Sequence, residues 1–147
     1  MNLEVVSLKN IHINQLVSYW ANLSPTALKN MGVDEDKLPS TKNFKSSIST
    51  QLSLPNTEKT AFAMIGLLDN EPIGHCNLNP IYFKQFAKLH LHLWNLEHRG
   101  KGLGYKMVKQ SLPYFFSLFQ LDYIISEPFA KNIAPNKTLS KVGFELV

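Results

Sequence analysis

The stretch that most constrains this chain lies between residues 89 and 104, where a strict two-residue alternation gives way to three glycines and then to helical spacing. Leu89, His90, Leu91, His92, Leu93 and Trp94 follow one another there. As a strand they put three leucines on one face of a sheet and His90, His92 and Trp94 on the other. Gly100, Gly102 and Gly104 come next, and residues 103–119 read as a long helix with Pro113 inside it. That proline is expected to bend the helix or loosen one backbone hydrogen bond. A glycine-rich turn from strand to helix is suited to anions. The first-turn N–H groups have no helical partner, the helix dipole favours negative charge, and glycine lets the backbone curl closely around phosphate oxygens. Arg99 and Lys101 add positive charge beside it.

The remaining pattern is compatible with one domain. Residues 3–8 read as a strand. Asn10 offers an N-cap for a helix carrying Ile13, Leu16, Val17 and Trp20 on one face, which Ser24-Pro25 stops. Residues 31–39 are loop-like, with Gly32 and an acidic patch at Asp34, Glu35 and Asp36. Ser40 or Thr41 caps a second helix bearing Phe44, Ile48 and Leu52, ended by Pro55. Residues 60–68 form a mostly buried strand, 69–72 a turn, and 73–78 its hairpin partner, with a break at Asn79-Pro80. Residues 122–126 give another strand, 132–142 a short helix stopped by Gly143, and 144–147 a last strand. The order is strand, two helices, three strands, helix, strand, helix, strand: a single α+β domain over residues 1–147 with a mixed sheet.

Composition narrows the partners. The 147 residues are 44% hydrophobic and 18% charged, an ordinary globular balance. A net charge of +4 suits an anionic nucleotide or coenzyme A without demanding nucleic acid, because the basic residues are scattered rather than clustered. Cys76 stands alone, which excludes a disulfide framework and a multi-cysteine metal site. It reads as a small core residue rather than a catalytic thiol. The N-terminus lacks a signal peptide's basic and apolar regions, and the longest apolar run, residues 61–68, is too short to span a bilayer. The expectation is a cytoplasmic protein that binds no metal, nucleic acid or membrane, with a homodimer left open.

Two nucleotide motifs fail at the glycine loop. Tyr105 occupies the place of the third glycine in a dinucleotide-binding G-x-G-x-x-G, and no G-K-[ST] exists for a P-loop. What remains is Arg-x-x-Gly-x-Gly, from Arg99 to Gly104 and preceded by Glu97-His98. After the next strand, Asn132 is followed eleven residues later by Gly143-Phe144, with a small helix between. These motifs, in this order, resemble those of the GNAT N-acetyltransferases. The resemblance covers residues 87–147 in motif detail and the whole chain in element order. The ribosomal-protein-alanine acetyltransferase branch is the most similar, being helical between the first strand and the hairpin and having no tyrosine in the last helix.

The resemblance implies the GNAT fold, a mixed, mostly antiparallel twisted sheet flanked by helices with its fourth and fifth strands splayed. It implies acetyl-CoA as co-substrate and no metal. The pyrophosphate would rest on the loop formed by Arg99, Gly100, Lys101, Gly102, Leu103, Gly104 and Tyr105. The backbone of Leu93 and Trp94 would hydrogen-bond the acetyl carbonyl and pantetheine, and Asn132 would reach the pantetheine amide. The implied reaction is direct attack by a primary amine, on a small molecule or a peptide N-terminus, upon the thioester.

Such a reaction needs a proton acceptor. His90 and His92 share one strand face, and imidazole titrates near neutrality. His90 also matches, in its spacing before the Arg-x-x-Gly-x-Gly motif, a histidine that arylalkylamine acetyltransferases use in proton removal. Glu127 is the next candidate. From the residues alone, structural histidines and a solvated carboxylate remain alternatives, and Trp20, Met31 and Phe44 either line the acceptor pocket or pack in the core. Two departures stand out. Leu139 occupies the position where many members carry a tyrosine acid, so the acid is absent, comes from Ser140, Asn136 or another residue, or is water. The family core also continues past Gly-Phe to a final strand, so here that strand is missing, truncated or supplied by a partner. Both departures leave a non-catalytic acetyl-CoA- or nucleotide-binding module of the same fold as the alternative.

Overall fold

The computed structural model describes residues 2–128 and 133–146. Strand β1 (Leu3–Ser7) leads through a single 3₁₀ turn into α1 (Ile13–Ala21). The entry is fixed by His12, whose Nδ1 accepts the Lys9 N–H at 3.0 Å, so the expected cap at Asn10 is not used. Ser24 does more than stop α1. Its hydroxyl accepts the Ala27 N–H at 3.1 Å, and Pro25 takes the first helical position, opening an additional short helix, α2 (Pro25–Asn30). Ser40 caps α3 (Thr41–Ser53) in the same way through Asn43 N–H. Buried Lys59 closes the far end by donating to the carbonyls of Gln51 and Leu52.

Strands β2 (Phe62–Leu68) and β3 (Glu71–Ile81) form a hairpin. Asp69 and Asn70, at φ 48° and 71°, make its tight turn. β3 runs past the expected break: the Asn79-Pro80 peptide is cis, the register against the next strand shifts, and pairing resumes at Ile81. β4 (Phe86–Leu93) follows, then α4 (Leu103–Phe119), which is one continuous helix through an exposed Pro113, then β5 (Tyr123–Ile125) and α5 (Ile133–Val142). The sheet order is β1-β2-β3-β4-β5, antiparallel throughout except for the parallel β4–β5 pair. This is the mixed, mostly antiparallel sheet anticipated.

Helices cover both faces. Leu89, Met107, Phe115 and Phe119 belong to the larger core, on the α4 side, while Leu16, Ala63 and Ile65 belong to the smaller one, with Trp20, Phe44 and Ile48 packed on it. Full burial of a side chain such as Phe115 contributes about 1.5–3 kcal/mol. Cys76 sits in the larger core, where burial pushes its thiol up to about 12. It is a core residue, as expected.

The Gly143-Phe144 pair has a structural cause. Gly143 adopts φ 115° beyond the end of α5. Its N–H bonds Ser140 O at 3.1 Å, and the Phe144 N–H bonds Leu139 O at 3.0 Å, while Phe144 and Leu139 join the same core. That is a Schellman termination with its hydrophobic contact. Residues 144–146 form no strand, contrary to the expected last strand, whose final residue Val147 lies outside the described residues.

Candidate functional site

The alternation in β4 places its residues as read. Leu89 is buried, Leu91 and Leu93 pack against the same core, and His90 and His92 lie on the opposite face. The backbone alternates too. The Trp94 N–H donates to Ile73 O at 2.9 Å, and His92 and His90 stand opposite His75 and Asn77. Even-numbered residues therefore spend their amides on β3, and odd-numbered ones face β5. On that side β5 pairs only as far as Lys88 opposite Ile125, after which the Ser126 hydroxyl donates to Leu89 O at 3.0 Å. Among the described residues no further pairing follows on that side. The amides aimed at this gap are those of Leu91 and Leu93. Trp94, expected to serve with Leu93, has its amide committed to β3.

At the gap lies a cleft of about 110 Å³ whose lining includes His90, His92, Ser126, Glu127, Leu139 and Met31. The structure thus brings together all three candidate proton-handling residues. Their surroundings differ. His90 is exposed, and its Nε2 lies 2.9 Å from Asn79 O. A carbonyl only accepts, so Nε2 carries the proton and the lone pair is on Nδ1. Glu127 sits 3.0 Å from Lys88 Nζ at a solvent-facing position. His92 is enclosed: Tyr19 Oη is 3.0 Å from its Nδ1, Trp20 meets its ring edge-on, and His75 stacks on it at 4.8 Å. Trp94 Nε1 donates to His75 Nδ1 at 2.8 Å, completing a Tyr19–His92–His75–Trp94 cluster.

Burial and the neighbouring charges of His90 and Arg99 push the His92 imidazole down to about 3, and burial takes His75 well below its ordinary value. Burial raises the Tyr19 hydroxyl, with Arg99 opposing. His92 therefore stays neutral, with its Nδ1 hydrogen-bonded to the Tyr19 hydroxyl. Neither Tyr19 nor His75 was found by sequence reasoning, and Tyr19 stands 73 residues from its partner. The depressed value has a consequence for stability. An unfolded chain protonates His92 below about 6.5, whereas the folded protein does so only near 3. The stabilisation is full above the unfolded value and is lost progressively as pH falls toward the folded one. Urea midpoints are expected to drop between pH 7 and pH 4, and His92→Gln to flatten that dependence. An unchanged slope would show that His92 protonates freely.

The loop that follows has the conformation the glycines allow. Gly100 and Gly102 take φ 74° and 75° in open space. Gly104 serves a different purpose, since a Cβ there would meet Leu91 Cδ2 at 3.0 Å; its bareness lets the helix start lie against the splayed strand. Lys106 N–H bonds Gly102 O, so the amides of Leu103, Gly104 and Tyr105 precede the first helical bond. The Leu103 side chain is core, leaving only its amide for a ligand. Arg99 and Lys101 are exposed. Tyr105 gathers more cations: Lys109 Nζ is 3.3 Å from its hydroxyl, and Lys141 lies 4.5 Å over its ring. Asn132 lies outside the described residues.

The match to known proteins agrees with this geometry. A model of the acetyltransferase (GNAT) domain matches residues 8–145, and the chain belongs to that family. It is by class an acetyl-CoA-dependent N-acetyltransferase. No curated protein sequence matches it. Among solved structures, RimL, the ribosomal L7/L12 alpha-N-protein acetyltransferase in complex with coenzyme A, superposes with a TM-score of 0.80 at 16% identity, covering 100% of this chain and 82% of that one. Spermidine N-acetyltransferase from Vibrio cholerae, with CoA and spermine, gives 0.77 at 15% identity over 96% and 79%. Ribosomal-protein-S5-alanine acetyltransferase from Vibrio fischeri gives 0.77 at 18% over 99% and 80%. At these identities the likeness is one of fold. The loop and gap fit coenzyme A, with N–H donors for phosphate and for the acetyl carbonyl. Among the described residues no group of three or more metal-ligating side chains gathers, and no helix is long and apolar enough to cross a membrane.

Proposed function

We propose that this chain acetylates a primary amine by direct attack on acetyl-CoA in the cleft between β4 and β5. The observation that carries the reading is the ladder parity of β4, which aims the Leu91 and Leu93 amides into the gap beside the glycine loop. The amides of residues 100–105, with Arg99 and Lys101, take the pyrophosphate. The Leu93 amide, supported by Leu91, donates to the acetyl oxygen as negative charge develops there. Trp94 contributes no amide.

His90 is the proton acceptor in this reading. Its Nδ1 lone pair is free of the contact that holds Nε2 on Asn79 O. His92 is unsuited to the task, because Tyr19 already occupies its Nδ1 and its conjugate acid is too strong at about 3. It remains a neutral wall, held by Tyr19. Glu127, tied to Lys88, draws the incoming ammonium to the cleft. Leu139, buried, supplies no acid at the family's tyrosine position, and the departing thiolate takes its proton from water. RimL acts on a protein N-terminus and the Vibrio cholerae enzyme on spermidine; either amine class suits this chemistry. An assay counting thiol release against N-acetylated product, over a panel of amines and peptide N-termini, is expected to give one-to-one turnover. Thiol release without acetylated amine, or binding of acetyl-CoA without turnover, would overturn the reading.

A further inference from the structure

A second cavity, of about 240 Å³, lies on the same sheet face beneath α3. Its walls are largely apolar, built from side chains such as Leu16, Trp20, Phe44, Ile48 and Ala63. Its polar lining is distinctive. The Gln51 oxygen is filled, accepting from the Thr60 and Ala61 N–H groups, and its amide donates once, to the Thr60 hydroxyl; Lys59 is committed to the α3 carbonyls. Asn77 is not: its Oδ1 is buried without a hydrogen-bond partner. A buried carbonyl oxygen left unpaired costs about 1–3 kcal/mol, and turning the Asn77 amide toward the cavity it lines would let a bound N–H or O–H group satisfy it. Among the described residues no carboxylate lines this cavity, whereas Glu127 lines the cleft.

The two spaces adjoin. Asn77 of β3 pairs directly with His90 of β4, and Asn79, which lines the cavity, accepts from His90 at the exposed rim. His75 lines the cavity and His92 the cleft, with their rings stacked between. A molecule seated under α3 therefore reaches the transfer point by crossing one strand, over Asn79 and His90.

We infer that this cavity seats the uncharged, apolar body of a small primary monoamine, with a neutral hydrogen-bond donor on that body read by Asn77 and the amine projecting over His90 into the cleft. The inference rests on the proposed acetyl transfer and gives it a substrate class. The ammonium loses one proton toward His90, its nitrogen lone pair forms the C–N bond to the acetyl carbon, and the C–S bond breaks. The products are the acetamide, the CoA thiol after uptake of one proton, and one released proton. A polyamine is disfavoured, because a second ammonium would enter a cavity where the described lining offers no anion to pair it.

The test uses tyramine, phenethylamine and spermidine with the full chain. Tyramine, with an apolar body and a hydroxyl donor, is expected to show kcat/KM at least about tenfold above spermidine, and about fivefold above phenethylamine. Asn77→Leu should bring the tyramine-to-phenethylamine ratio close to one. Ser47→Phe, which closes the cavity from an exposed position on α3, should raise the tyramine KM about tenfold while acetyl-CoA affinity holds. Ala63→Phe is the internal counterpart. Calorimetry of tyramine on the CoA complex separates the two claims. Binding that Ser47→Phe abolishes, with no turnover of any amine, would refute the acetyl-transfer reading, and with it the assignment of substrate to this cavity. A preference for spermidine, or a tyramine KM indifferent to Ser47→Phe, would overturn the cavity assignment alone.

Discussion

His90→Ala is expected to lower kcat/KM for the amine by about 10² at neutral pH while acetyl-CoA affinity is nearly unchanged. The direction follows from the proton. An ammonium has no lone pair with which to attack a thioester, and in the cleft the exposed His90 imidazole keeps an uncommitted Nδ1, whereas burial leaves His92 too weak a base. Loss should be greatest where the amine is protonated and should partly recover at high pH, where free amine is abundant. His92→Ala behaves differently: it removes packing from the Tyr19, Trp20 and His75 cluster, so its loss appears at every pH and is accompanied by reduced stability. Equal pH-independent losses in both variants would mean that neither histidine takes the proton, and would pass the role to Glu127 or a water chain.

Gly104→Val is expected to weaken acetyl-CoA binding at least about tenfold, or about 1.4 kcal/mol. The first atom of any side chain there meets Leu91 Cδ2 at 3.0 Å, and further methyls force the start of α4 away from β4. Overpacking of this kind costs about 1–3 kcal/mol. It also moves the amides of Leu103, Gly104 and Tyr105 relative to those of Leu91 and Leu93, which must act on one ligand together. Gly102→Ala acts by another route, because open space surrounds it and only its φ of 75° is at issue; the strain is about 1–2 kcal/mol. Calorimetry with CoA and urea denaturation together separate the two. Gly104→Val binding CoA like the parent would remove the loop from the site.

Much of this geometry was legible in the sequence because it is local. The alternation from Leu89 to Trp94 fixed the two faces of β4, and the glycines marked the turn into α4. Ser40 and Pro55 bracketed α3. What escaped depends on distant pairing. Which amides of β4 face the gap is set by register against β3, so nothing local shows that the Trp94 amide is spent on Ile73 O. Tyr19 and His75 carry no motif of their own; only folding brings them to His92. Ser24-Pro25 reads as a stop, yet the same residues also start α2. Pro80 looked like a strand end, yet β3 continues to Ile81 through a register shift.

Acetyl-CoA binding at the glycine loop and β4 is tested most directly by following backbone amides by NMR as acetyl-CoA is added. Saturable shifts are expected at Gly100 through Tyr105 and at Leu91 and Leu93, with the Trp94 amide, bonded to Ile73 O, changing least among its neighbours. Shifts confined to the α3 face of the sheet, with the glycine loop silent, would contradict binding there.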